Sequence, residues 1–153
     1  MRAALSLALL LKLSLGLTQI HNTQINSVDS LLASNPKNVV VFIYTDWCKY
    51  CHKMKAITLK NQEVINYINK NFYFCALNAE SEKPLTLNKH KFKFTPHGNG
   101  VGTHDLATAL GTINGELNYP TLCILNDKHE IIFQYSSYLK TKGFLKVLEA
   151  SIK

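Results

Sequence analysis

Apolar and polar positions fall into two regimes along this chain. From Asn38 to Thr45 the run Asn-Val-Val-Val-Phe-Ile-Tyr-Thr is almost continuously apolar and β-branched. That pattern predicts a strand covered on both faces, as in a parallel sheet. Asn71–Asn78 (Asn-Phe-Tyr-Phe-Cys-Ala-Leu-Asn) repeats it. Thr121–Leu125 and Glu130–Tyr135 flank the turn Asn126-Asp127-Lys128 and read as an antiparallel pair. Helical spacing fills the intervals. Ser27–Ala33 predicts a short helix ended by Asn35-Pro36. A helix is expected to start near Cys48 and run through Met54 and Ile57. Asn61 is a good N-cap for a further helix, with Glu63 in its first turn and Val64, Ile65, Tyr67 and Ile68 on its apolar side. His104–Leu110 predicts a short helix, and Thr141 is expected to cap a last one with Phe144, Val147, Leu148 and Ile152 inward. Leu85–Phe94 alternates as a hairpin turning near Asn88-Lys89, and Thr95–Gly102, with Pro96 and three glycines, reads as a loop. Strands alternate with helices and a hairpin plus helix closes the chain, which is an α/β order with a mixed sheet.

Composition narrows the class. The chain has 153 residues, 46% hydrophobic and 18% charged, the size and balance of one globular domain. Four cysteines are too few for a disulfide scaffold. The formal charge of +7 comes from scattered lysines. Their densest cluster, Lys89-His90-Lys91-Phe92-Lys93, alternates and puts lysines on one face of a strand, so no nucleic-acid partner is expected. The first eighteen residues look like an export signal: Arg2, an uncharged stretch Ala3–Leu11, then Ser14, Gly16 and Thr18. Lys12 interrupts the apolar run, and an amphipathic first helix or a retained anchor are the alternatives. With residues 1–18 removed, the domain is 19–153. The chain has no Asn-x-Ser/Thr sequon and no retrieval signal at its end. A periplasmic or secreted location in a bacterial envelope is therefore expected, with no stable membrane insertion after cleavage.

The chemistry-bearing segment is Trp47-Cys48-Lys49-Tyr50-Cys51-His52. Two cysteines three apart, after a buried strand and at a helix start, face each other across one turn. Free N–H groups and the positive end of the dipole favour a thiolate there. Cys48, at the helix end, is the expected nucleophile. Cys51, one turn deeper, is placed to attack a mixed disulfide and release the product. Lys49, Lys53 and a protonated His52 would add positive potential. Cys-x-x-Cys-His also fits c-type haem attachment, but the motif follows a β-rich run and Met54 is too near to serve as second axial ligand. Zinc would need a second cysteine pair, and Cys75 and Cys123 are single and separated. The six histidines lack metal-ligand spacing; His97 and His104, which flank the glycine-rich loop, are expected on the surface.

Strand, Trp-Cys-x-x-Cys, helix and a later Tyr119-Pro120-Thr121 opening a strand together resemble the thioredoxin superfamily, over roughly residues 25–150. The resemblance implies a thioredoxin fold, with a central mixed sheet flanked by helices and a hairpin or loop insertion at about 82–102 before the cis-proline strand. It implies that Pro120 is cis and lies beside the cysteine pair, that Tyr119 and Pro120 hold an extended substrate, and that Trp47 flanks the site. Lys49, Tyr50 and His52 are then site-tuning positions. The implied activity is thiol–disulfide exchange with protein thiols and disulfides and a redox partner protein, reduction being favoured over oxidation. No metal or organic cofactor is implied beyond the redox-active disulfide. The sequence departs from thioredoxin at three points, one being the stretch from Glu82 to Gly102, which is longer than a minimal thioredoxin needs. The buried acid six residues before the first cysteine is here Phe42, and the lysine that pairs with it aligns with Ala76; Glu80 or His52 are conceivable substitutes. In the family topology the strands of Cys75 and Cys123 flank the Val39–Tyr44 strand on opposite sides, about 9.6 Å apart. A disulfide needs less than about 7 Å, so two free buried thiols are expected. A reading of another class is a partner-binding module with a structural Cys48–Cys51 bridge, docking through 82–102.

Overall fold

The structure is a computed structural model that describes residues 19–152; the leader pattern read over residues 1–18 lies outside the described residues. A 3-10 turn (Ile25–Ser27) leads into α1 (Val28–Ser34), β1 (Asn38–Tyr44), α2 (Lys49–Ala56), α3 (Gln62–Asn71) and β2 (Phe72–Asn78). Four short strands follow: β3 (Leu85–Leu87), β4 (His90–Phe92), β5 (Phe94–Gly98) and β6 (Val101–His104). The rest is α4 (Asp105–Gly111), β7 (Thr112–Ile113), β8 (Glu116–Leu117), β9 (Thr121–Leu125), β10 (Ile131–Tyr135) and α5 (Thr141–Ala150).

The central sheet has the order β10-β9-β1-β2. β1 pairs in parallel with β2 and antiparallel with β9, and β9 pairs antiparallel with β10. β1 is apolar throughout because both its faces are covered. Val39, Val41 and Ile43 pack with Val28 and Leu32 of α1 and Leu106, Ala107 and Leu110 of α4. Val40 and Phe42 face the opposite layer, with Met54 of α2, Val64 and Ile68 of α3 and Phe144 and Leu148 of α5. Val41 stands level with Cys75 on one side and Cys123 on the other. Both of those thiols are free and buried.

The segment between β2 and α4 is two successive hairpins. In β3/β4 the turn residues Asn88 and Lys89 have φ of 52° and 61°. Their N–H groups both donate to the Asp29 carboxylate, at 2.8 Å each, and the His129 ring meets the same carboxylate at 2.9 Å. One side chain on α1 thus fastens the hairpin turn and the β9–β10 turn together. Thr95–Gly102, expected as a loop, is instead the body of the β5/β6 hairpin, with Thr95 opposite Thr103 and Pro96 opposite Gly102. Pro96 is tolerated because this is a two-stranded ribbon with an open edge. Asn99-Gly100 forms the tip, with φ of 49° and 73°. Gly102 allows close approach: a Cβ there would stand 2.3 Å from Cζ of Phe94 and 2.6 Å from the Thr95 carbonyl oxygen.

Three smaller expectations are also corrected. His104 is buried rather than on the surface; its Nδ1 accepts from Leu106 N–H as the N-cap of α4, and its Nε2 bonds the Lys83 carbonyl. That carbonyl can only accept, so Nε2 carries the proton. Thr141 is the first residue of α5, whose N-cap is Lys140 without a side-chain cap bond, and Ile152 lies exposed beyond the helix. α2 ends at Ala56, leaving Ile57 outside it and exposed. Asn61 does cap α3, accepting from the N–H groups of Glu63 and Val64.

Candidate active site

β1 delivers the chain to the carboxyl end of the sheet, and Thr45–Trp47 carry it into α2. Cys48 is the N-cap of α2, in extended conformation at φ −76° and ψ 106°. Its Sγ accepts from the Cys51 N–H at 3.0 Å, so the cap that Ser or Asp usually supplies is here a sulfur. Cys48 and Cys51 are joined in a disulfide, with Cα atoms 5.2 Å apart. Cys48 is 5% exposed and Cys51 is fully buried. The outer sulfur is therefore the more accessible of the two, and the inner one stands against the Phe42 and Met54 layer.

Around the pair, the positions singled out in the sequence come together at one end of the sheet. Trp47 is 66% exposed and Tyr50 63% exposed. The Trp47 indole N–H donates to Glu80 Oε1 at 2.8 Å, and its ring meets Tyr119 edge-on, centroids 5.9 Å apart. The Tyr119–Pro120 peptide is cis. Burial, joined by the nearby Glu80 carboxylate, pushes the Tyr119 hydroxyl pKa up, so Tyr119 stays neutral. His52 is turned outward and its Nε2 donates to the Asp46 carbonyl at 2.6 Å. Lys49 is exposed on the first turn of α2, and Lys53 lies over the Tyr138 ring, 5.0 Å from its centroid.

Two features of this end were not foreseen. Glu80, named above as a substitute for the missing buried acid, is engaged by the Trp47 indole; the two are 33 residues apart, and only the fold brings them together. Lys55, four residues after Cys51, lies over two stacked rings: Nζ is 3.1 Å from the Tyr44 centroid and 6.0 Å from that of Phe42. Burial lowers the Lys55 pKa, opposed by the Asp46 charge. Phe42 and Ala76 stand directly opposite one another in the β1–β2 register, both without charge. Among the described residues no group of three or more His, Cys, Asp or Glu side chains is arranged to hold a metal ion, and no helix is long and apolar enough to cross a membrane.

A family model described as a thioredoxin-like domain matches residues 26–152. The comparison with curated proteins gives no match. Among solved structures the chain is similar to a DsbH oxidoreductase (12% identity, 90% of this chain and 88% of that one, TM-score 0.62). It is also similar to a thioredoxin from Thermus thermophilus (18% identity, 88% of each chain, TM-score 0.62). A third is the DsbD C-terminal domain of Neisseria meningitidis in the reduced form (19% identity, 81% and 90%, TM-score 0.53). At these identities the neighbours establish the fold. An N-cap disulfide of the Cys-x-x-Cys type, the four-stranded mixed sheet behind it and the match over 26–152 make this chain a member of the thioredoxin-like family, with the thiol–disulfide oxidoreductase activity that fold and motif support.

Proposed function

We propose that this protein is a cell-envelope reductase of protein disulfides. Cys48 as thiolate attacks a substrate disulfide, giving a Cys48–substrate mixed disulfide, and Cys51 resolves it. The substrate leaves reduced and the Cys48–Cys51 bond is formed. Trp47, Tyr119 and Pro120 contact the substrate chain, and Lys49, Tyr50 and His52 tune the pair. A partner dithiol returns the electrons, with no metal or organic cofactor. The observation that carries the cycle is the position of the disulfide: its outer sulfur caps α2, where the helix end favours a thiolate. The exposed Trp47 and Tyr50 beside it give a protein substrate apolar area to cover. The envelope location rests on the basic, apolar and small-residue order of residues 1–18. The reductive direction rests on the likeness to thioredoxin.

The cycle is tested by trapping. Cys51→Ser accumulates mixed disulfides with protein substrates, and Cys48→Ser abolishes turnover; full turnover in Cys48→Ser refutes it. The direction is tested by equilibrating the pair in redox buffers and alkylating. A potential near about −270 mV fits a reductase, whereas one near about −120 mV means a disulfide donor. A bridge that stays oxidised below about −300 mV means a structural disulfide, and a binding module instead of an enzyme.

A further inference from the structure

We infer that Lys55 sets the reactivity of Cys51: its ammonium, held against the Tyr44 ring one helical turn beyond Cys51, stabilises the thiolate that resolves the mixed disulfide. This rests on the Cys48/Cys51 cycle proposed above. Residues four apart on a helix are neighbours, with Cβ atoms about 5–6 Å apart, so Cys51 and Lys55 share one face of α2. The lysine is fixed on that face by two aromatic rings. Its Nζ is 3.1 Å from the Tyr44 centroid and 6.0 Å from that of Phe42, and the two rings stack at 5.7 Å. Phe42 is fully buried and packs in the same cluster as Cys48 and Cys51. Burial lowers the Lys55 pKa, and the attraction of the ring faces for an ammonium offsets part of that cost. The charge is therefore held against the rings on the helix face that also carries Cys51, rather than free to swing into solvent.

Apart from Asp46, the remaining charged and titratable groups at this end are engaged elsewhere or lie outward. From β1 comes the Tyr44 hydroxyl, whose pKa is pushed up by burial and by Asp46. From the β1–α2 loop comes the exposed Asp46, whose carboxylate accepts from the Asn78 amide at 3.0 Å and whose charge also acts on Lys55, partly countering it. From α2, His52 is bonded to the Asp46 carbonyl and Lys53 lies over Tyr138. From beyond β2, Glu80 is bonded to Trp47, and Tyr119 stands against that same indole. Phe42 and Ala76 leave the sheet itself uncharged beneath the pair. The cation that acts on the inner cysteine therefore comes from the helix.

In the resolving step Cys51 loses its proton to solvent and its thiolate attacks the Cys48 sulfur. The Cys48–Cys51 bond forms and the Cys48–substrate bond breaks. The substrate sulfur leaves with that bond's electron pair and takes a proton from water. Two electrons have then passed from the cysteine pair to the substrate disulfide. Lys55 touches neither the substrate nor the reacting bond; it is a positioning residue that acts by charge.

The test isolates Cys51 in a Cys48→Ser protein and follows iodoacetamide labelling from about pH 5 to about pH 10, with the labelled residue identified by mass. Lys55→Met is expected to raise the labelling midpoint by about one unit, with labelling about tenfold slower at neutral pH. Lys55→Arg, which keeps the charge, is expected to stay within about twofold of the parent. An unmoved midpoint in Lys55→Met overturns the inference. So does an equal shift in Lys55→Met and Lys55→Arg, which would mean packing rather than charge. If Lys55→Met does not fold by circular dichroism, Lys55→Gln gives the same reading. The assay needs no substrate, so its failure is separate from failure of the cycle, which Cys51→Ser trapping decides.

Discussion

Replacing Asp29 by Ala removes the acceptor that fastens the β3/β4 turn to α1. Three contacts are lost: the N–H groups of Asn88 and Lys89, each at 2.8 Å, and the His129 ring at 2.9 Å. A hydrogen bond to a charged group contributes about 1.5–3 kcal/mol. The Asp29 side chain is 29% exposed, which puts each backbone contact near the low end, and the His129 pair adds about 0–1 kcal/mol. Water re-solvates the released N–H groups, so the expected net loss is about 2 kcal/mol. In a domain of this size that lowers Tm by about 6–10 °C. The pH dependence separates this mechanism from simple packing. Burial raises the Asp29 pKa, but the Lys89 and Asn88 backbone bonds, with the His129 contact, outweigh it and hold the pKa below 3.8. A carboxylate with a depressed folded-state pKa contributes stability that is fully present above the unfolded value and is lost as pH falls through the folded one. Urea unfolding of parent and Asp29→Ala is expected to show the full difference at neutral pH and at pH 5, narrowing only below about pH 3.9. A difference under about 0.5 kcal/mol at neutral pH refutes the reasoning, as does one that stays constant down to pH 2.

Alkylation of the native oxidised protein at mildly alkaline pH is expected to add no label, because burial pushes both Cys75 and Cys123 up to about 12. After denaturation without reductant two labels are expected, and a count by intact mass checks both. Gly102→Ala places a Cβ 2.6 Å from the Thr95 carbonyl oxygen and 2.3 Å from the Phe94 ring. It is expected to cost about 1–3 kcal/mol, with hydrogen exchange accelerated in β5 and β6 ahead of the central sheet. Trp47→Ala leaves the core untouched, so stability changes by less than about 1 kcal/mol. KM for a protein disulfide is nevertheless expected to rise, while the rate with a small aromatic disulfide holds. Equal losses on both would place Trp47 in the chemistry instead of in substrate contact.

The central sheet was legible because a strand covered on both faces needs apolar residues at nearly every position, and Val39–Tyr44, Phe72–Leu77 and Thr121–Leu125 supply them. The cysteine pair was legible because its chemistry needs a helix start after such a strand. The second hairpin was not. Pro96 and three glycines weaken any strand signal, and its stability comes from Phe94 lying on Gly102 and from Thr95 Oγ1 donating to Asp105 at 2.6 Å. Asn99-Gly100 was the available turn signal, as Asn114-Gly115 was for β7/β8, whose two-residue strands are too short to show a period. His104 reads as a surface histidine because nothing local reveals that its ring ends up inside the fold. The Trp47–Glu80 contact and the three-way junction at Asp29 join residues 33 and up to 100 positions apart, which is information carried by the topology rather than by any window of sequence.

The placement of Cys75 and Cys123 on either side of Val41 has a consequence for the fidelity of the chemistry. Four cysteines admit three complete pairings in an open chain, and a protein that trades disulfides for its living risks exchanging with itself. Here β1 works as an insulating spacer. It separates the two spare thiols by its own width and leaves each in apolar surroundings where the thiolate, the only form that exchanges, does not arise at working pH. Once the sheet has closed, scrambling is shut off by geometry and by protonation at the same time. Electron traffic is then confined to the Cys48–Cys51 pair at the start of α2.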